Sequence, residues 1–169
     1  MTSRFWMPLE KSSKRSNLYD SFYSRGTVKT MEERTSFELG EEATLTRLFS
    51  EDDINAFARL TGDMNPIHMD ETYAKTTRFG GRIVHGMLVA SMFTSVLGNQ
   101  LPGPGSIYSR QELQFRAPVR PGDRITAKVQ VSDWDPIKGR IVLLTEATNQ
   151  DGVVVISGEA RLFMASLLK

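Results

Sequence analysis

The chain has 169 residues, with 21 Lys and Arg against 20 Asp and Glu, a formal net charge of +1, and 40% hydrophobic residues. That size suits one soluble domain with its own core, and the balanced charge argues against nucleic-acid or membrane-surface binding driven by bulk charge. Cysteine is absent and the only histidines are His68 and His85, which excludes disulfides, thiolate nucleophiles and Cys metal sites and leaves no metal or other cofactor expected.

Residues 1–30 are basic and Ser-rich, with Arg4, Lys11, Lys14, Arg15, Arg25 and Lys29 against Glu10 and Asp20. Such a leader fits a mitochondrial transit peptide. It also fits an extension that packs on the domain or on a partner subunit, and Phe5, Trp6, Tyr19, Phe22 and Tyr23 favour that docking. Residues 1–35 are therefore read as an N-terminal extension and 36–169 as the domain. The expected location is cytoplasmic, or the mitochondrial matrix if the leader is a transit peptide.

Residues 36–49 hold a strand around Thr44–Leu48. Ser50-Glu51-Asp52-Asp53 reads as a capping box, and Ile54, Phe57 and Ala58 give the helix behind it one apolar stripe. Gly62 is a natural stop. Then come Thr61-Gly62-Asp63-Met64-Asn65-Pro66-Ile67-His68-Met69-Asp70 and, shortly after, Arg82-Ile83-Val84-His85-Gly86-Met87. The first places a carboxylate and an imidazole on a Pro-constrained loop, and the second opens an apolar helix. An acid/base pair beside bare helix N–H groups is equipment for proton transfer next to a developing oxyanion.

Asp70 can cap a short helix through Lys75, and Gly80-Gly81 marks a turn. The helix from about Met87 to Leu97 is apolar on most sides and is expected to stop at Gly98. Ser91, Thr94 and Ser95 interrupt it, so it reads as a buried globular helix and not a membrane span. After the 101–105 loop the pattern turns to β near 106–117, 124–133, 139–149 and 153–165. These residues alone give an α+β fold with an antiparallel sheet.

The segments Asp63–Asp70, Ile83–Met87, Leu97–Tyr108, Phe115–Val119 and Ser157–Ala160 together resemble the MaoC-like, (R)-specific enoyl-CoA hydratases of the hydratase 2 type. The resemblance covers roughly residues 36–169 and implies a single hotdog fold, a sheet wrapped around a long central helix. It also implies a homodimer with the substrate, a CoA or acyl-carrier-protein thioester, at or near the subunit interface. An open sheet edge independently favours a second copy.

By position, Asp63 and His68 match the family's acid/base dyad. Asn65 would orient the loop or the water, though an Asx turn ahead of Pro66 explains it as well. Gly86 offers a backbone N–H to a thioester oxygen; tight helix packing is its structural alternative. His85 reads as a hydrogen-bonded loop histidine and not a second base. Where the family often has a serine that helps place the aspartate, this chain has Thr94, with Ser91 one turn earlier as the alternative. Lys75, Arg78 and Arg82 are candidates for the phosphates of the carrier arm, or ordinary solvated charges.

The expected activity is reversible hydration of a trans-2-enoyl thioester, by a hydro-lyase. A hotdog acyl-CoA thioesterase is the enzymatic rival and would not need the Asp63/His68 spacing. A non-catalytic acyl-CoA-binding module would keep the pocket and lose the dyad.

Overall fold

A computed structural model describes residues 33–168, so the readings made for the basic leader lie outside the described residues. In chain order the elements are β1 (Glu42–Leu48), α1 (Glu51–Thr61), α2 (Pro66–Met69), α3 (Glu71–Lys75), α4 (Gly86–Asn99), β2 (Ser106–Phe115), β3 (Arg124–Asp135), β4 (Arg140–Thr148) and β5 (Val154–Met164). The strands form one sheet in the order β1-β3-β4-β5-β2, and every neighbouring pair is antiparallel.

Alternation along the strands decides which face meets the helix. In β3, Ile125, Ala127, Val129 and Val131 are buried, and in β4 Ile141, Leu143 and Ala147 are buried. Ile156, Ala160 and Leu162 of β5 complete this wall. Against it packs α4, burying Leu88, Val89, Met92, Phe93, Val96 and Leu97. Each such side chain stabilises the fold by about 1.5–3 kcal/mol relative to exposure. Phe93→Ala would open a cavity and cost about 3–5 kcal/mol. A curved antiparallel sheet around one apolar helix is the hotdog arrangement that the resemblance implies.

Local chemistry sets the ends of the helices. At the start of α1 the Asp53 N–H donates to Ser50 Oγ at 3.2 Å, and the Ser50 N–H donates back to Asp53 Oδ2 at 2.9 Å. Gly62 then turns left-handed, with φ 79°, and its N–H closes on the Ala58 carbonyl. One expected boundary moves. Gly98 does not end α4, which runs to Asn99, and the Gln100 N–H still reaches the Val96 carbonyl at 2.9 Å. Pro102 lies just beyond and has no N–H to carry the helix on.

The loop that leads into α4 is held from the sheet side. The Arg120 guanidinium donates to the carbonyls of Phe79, Gly81 and Arg82, at 2.8 Å for Gly81 and 3.2 Å for Arg82. The Val84 N–H adds a bond to the Val119 carbonyl at 2.8 Å. These contacts fix where His85 and Gly86 stand relative to α1 and α2.

Candidate active site

The loop after α1 is built from its own side chains. Asp63 Oδ1 accepts from the Asn65 N–H at 3.2 Å, and Asn65 Oδ1 accepts from the Ile67 N–H at 3.2 Å. Asn65 is thus the N-cap of α2, and Pro66 occupies the first turn, where a missing N–H costs nothing. This is the Asx-type role expected of Asn65, and it orients the loop as well. One Asp63 carboxylate oxygen takes part in the turn, while the side chain remains half exposed.

His68 Nδ1 lies 2.8 Å from the Ile83 carbonyl oxygen. A carbonyl oxygen can only accept, so Nδ1 carries the hydrogen and Nε2 carries the lone pair. Burial pushes the His68 pKa below its ordinary value, helped by the neighbouring His85 and opposed by the Ile83 hydrogen bond and by Asp63. The imidazole therefore stays neutral and basic at neutral pH.

Asp63, His68 and His85 converge, with one nitrogen or carboxylate oxygen from each lying within 4.8 Å of the others. A water making two hydrogen bonds spans about 5.6 Å, so one molecule can bridge the carboxylate and the His68 ring. His85 is buried, and its Nε2 lies 3.1 Å from the Asp63 backbone oxygen. It is hydrogen-bonded, as a loop histidine should be. Its ring also stacks on His68, with centroids 3.9 Å apart and planes 30° apart, a contact that reading the chain missed.

Gly86 opens α4 directly after His85. His85 makes no side-chain cap bond, and the Gly86 N–H finds no acceptor among the described residues. A free N–H at the positive end of a long apolar helix suits an oxygen that gains charge. A Cβ at Gly86 would stand 2.7 Å from Phe115 Cε1, so close packing and backbone access both require glycine here. Asp63, His85, Gly86 and Phe115 line one cleft of about 410 Å³, and Arg78 and Arg116 also border it. His68 stands one ring back from the wall, against His85.

The remaining candidates separate. Arg78 borders the cleft, but Lys75 pairs with Glu71 at 3.6 Å. Arg82 pairs with Glu51 and, at 3.7 Å, with Glu71. Neither Lys75 nor Arg82 lines the cleft. Ser91 spends its hydroxyl on the Leu88 carbonyl at 2.6 Å, and Thr94 is exposed on α4. Within one chain neither hydroxyl bonds Asp63. Arg116, overlooked in the sequence, follows Phe115 and donates from Nε to Ser157 Oγ at 3.0 Å. Its signal was its place inside the Phe115–Val119 motif.

Comparison with known proteins identifies the family. The family model described as MaoC like domain matches residues 28–152. An (R)-specific enoyl-CoA hydratase of Rhodospirillum rubrum is 50% identical over 121 residues, which is 72% of this chain and 83% of that protein. One from Aeromonas caviae is 46% identical over 125 residues, 74% of this chain and 93% of that protein. The solved structure of the (R)-hydratase from A. caviae involved in PHA biosynthesis superposes with a TM-score of 0.74 at 44% identity, covering 76% of this chain and 98% of that one. The chain belongs to the MaoC-like domain family.

Proposed function

We propose that this chain is an (R)-specific enoyl-CoA hydratase, a hydro-lyase that adds water reversibly to a trans-2-enoyl thioester. Run backwards it is a 3-hydroxyacyl-thioester dehydratase. One observation carries the reading: His68, fixed by Ile83 in the tautomer with a free Nε2, stands beside Asp63 at a helix start whose Gly86 N–H is unused. The names of the relatives at 46% and 50% identity support the same reaction.

In the forward direction a water held between Asp63 and His68 loses a proton to the pair as its oxygen bonds C3. The C2=C3 electrons move toward the thioester, and the Gly86 N–H receives the negative oxygen. The pair then returns a proton to C2, so one water is consumed and no redox partner is needed. The two groups sit close enough to act on one water, and the pair, not one member, is assigned as the acid/base. Arg78 and Arg116 at the cleft border supply positive charge for the phosphates of a CoA or acyl-carrier-protein arm.

A homodimer is part of the proposal. Strand β2 is a sheet edge, and Ile107, Tyr108 and Phe115 on it are exposed, as is Met87 on α4. A second copy would cover this surface together with Ser91 and Thr94. Among the described residues no helix is long and apolar enough to cross a membrane. The proposed location is the cytoplasm, with the mitochondrial matrix as the alternative that a basic leader would specify.

The deciding experiment incubates purified protein with trans-2-enoyl-CoAs of several lengths. Loss of the conjugated enoyl absorbance with formation of the (R)-3-hydroxyacyl thioester is the expected result. Release of free CoA would identify a thioesterase, and tight binding without turnover would identify a binding module.

A further inference from the structure

We propose that His85 is a positioning residue for the reaction, holding both members of the acid/base pair at once from the N-cap of the central helix. The proposal rests on the reading of Asp63 and His68 as that pair. Three observations bear on it. First, His85 Nε2 is 3.1 Å from the Asp63 backbone oxygen, across 22 residues of chain. The oxygen accepts only, so Nε2 donates, and the residue that carries the carboxylate is tied to the start of α4. Second, the His85 ring faces the His68 ring at a 30° tilt, with centroids 3.9 Å apart. Third, the other His85 nitrogen, Nδ1, is buried without a hydrogen-bond partner among the described residues.

The polar edge separates this role from a simple packing role. An apolar ring would fill the same volume but could not donate to the Asp63 carbonyl. The gain is that one face and one edge of the same ring are both used. The edge sets where the Asp63 carbonyl stands, and hence where the carboxylate begins. The face sets how far the His68 ring can tilt about its bond to Ile83. Phe57 backs the ring from α1, with centroids 5.2 Å apart, so His85 cannot swing away.

Two variants separate the two contacts. His85→Gln keeps a donor near the Nε2 position and loses the ring face. His85→Phe keeps the ring and loses the donor. Each is assayed for hydration of crotonyl-CoA, with Asp63→Asn and His68→Gln measured beside them. We expect both His85 variants to lower kcat by about tenfold to a hundredfold with KM changed far less, since misplaced reacting groups cost rate and not binding. His85→Gln should also move the acid limb of kcat/KM upward, because it uncovers His68. The charged or titratable groups that face His68 are Asp63, from the loop after α1, and His85 itself. A residue needed only for packing would leave that limb in place.

Wild-type kcat and an unmoved acid limb in a folded His85→Gln, with wild-type kcat in a folded His85→Phe, would overturn the proposal. So would loss of folding in both, which would assign His85 to the core alone. If Asp63→Asn and His68→Gln remain active, the reading of the pair itself fails. If they are inactive while both His85 variants turn over normally, only the positioning role fails.

Discussion

His68 donates from Nδ1 to the Ile83 carbonyl at 2.8 Å, and this bond decides which nitrogen of the ring can act on a water. It joins the segment that carries the proposed acid/base pair to the one that leads into α4, so the two halves of the site are tied by a direct hydrogen bond.

A pH dependence follows. Burial, reinforced by His85, holds His68 below the ordinary imidazole value of 6.5. The proposed pair works with His68 in its neutral form, so kcat/KM should stay high as pH drops through 6.5 and fall only at a lower midpoint. Stability has the same sign. Below 6.5 the unfolded chain takes up a proton that folded His68 resists, so the stability that His68 contributes is full above 6.5 and lost as pH falls. Urea melts of wild type and His68→Gln between pH 5 and 8 should show a steeper acid loss in wild type. An acid midpoint above 6.5 would contradict the assignment.

The pair itself is tested by removing its charge and its lone pair. Asp63→Asn and His68→Gln should each reduce hydration at least roughly a hundredfold, the usual worth of a missing acid/base group. The Asp63 side chain is half exposed, its hydrogen bond is the local one from the Asn65 N–H, and the bond from His85 is to its backbone oxygen, which Asn keeps, so its variant should melt close to wild type. Near-normal turnover in either folded variant would remove that residue from the mechanism.

Much of this fold could be read from local signals. Ser50 with Asp53, Gly62 and Asp70 each act within a few residues of themselves, so α1 and α3 were legible, whereas the single turn of α2 lies in a stretch that reads as a loop. The strands were legible because Val, Ile and Thr alternate against a single buried face. What stayed hidden depends on distant partners. The His85 stack on His68, the pairing of Arg82 with Glu51, and the place of Arg116 at the cleft all need the fold to bring remote segments together. Thr94 shows the limit on α4. Helical spacing puts it one turn from Ser91, but which side faces the sheet is set by β3, β4 and β5, and Thr94 lands on the exposed side.

Gly86 should separate packing from chemistry. Gly86→Ala drives a methyl into the Phe115 ring, which a Cβ would meet at 2.7 Å. We expect a loss of about 1–3 kcal/mol, typical of overpacking, and a strong loss of turnover. Phe115→Ala in the same chain frees the space. Thermal stability should then recover relative to Gly86→Ala, while activity stays low because the methyl still bars the thioester oxygen from the N–H. Full recovery of turnover in the double variant would reduce Gly86 to a packing residue.

Arg120 offers a test of how the second loop is held. Its guanidinium serves the carbonyls of Phe79, Gly81 and Arg82. Arg120→Met keeps the aliphatic stem and strands those acceptors, at a cost of about 1–3 kcal/mol in denaturant melts. Since this loop places His85 and Gly86, kcat should fall too. An unchanged melt would mean that water replaces the guanidinium fully.

The N-terminal boundary gives the last prediction. Every residue given a chemical role lies beyond residue 60, and the described part of the chain is already anchored soon after its start. The Ser166 N–H donates to Glu33 Oε1 at 2.9 Å, Arg34 pairs with Glu41 at 2.6 Å, and Phe37 is buried in the core. A chain beginning at Met31 keeps all three contacts. It should fold, form the proposed homodimer by light scattering, and hydrate crotonyl-CoA at close to the full-length rate. A chain beginning at Glu38 loses the Glu33 bond, the Arg34 pair and the Phe37 side chain, whose burial alone is worth about 1.5–3 kcal/mol. It should melt markedly lower even if its active site is intact. If the chain starting at Met31 folds and dimerises but loses turnover, residues 1–30 contribute to the acyl or CoA site, and the proposed division into an extension and a self-sufficient domain is wrong.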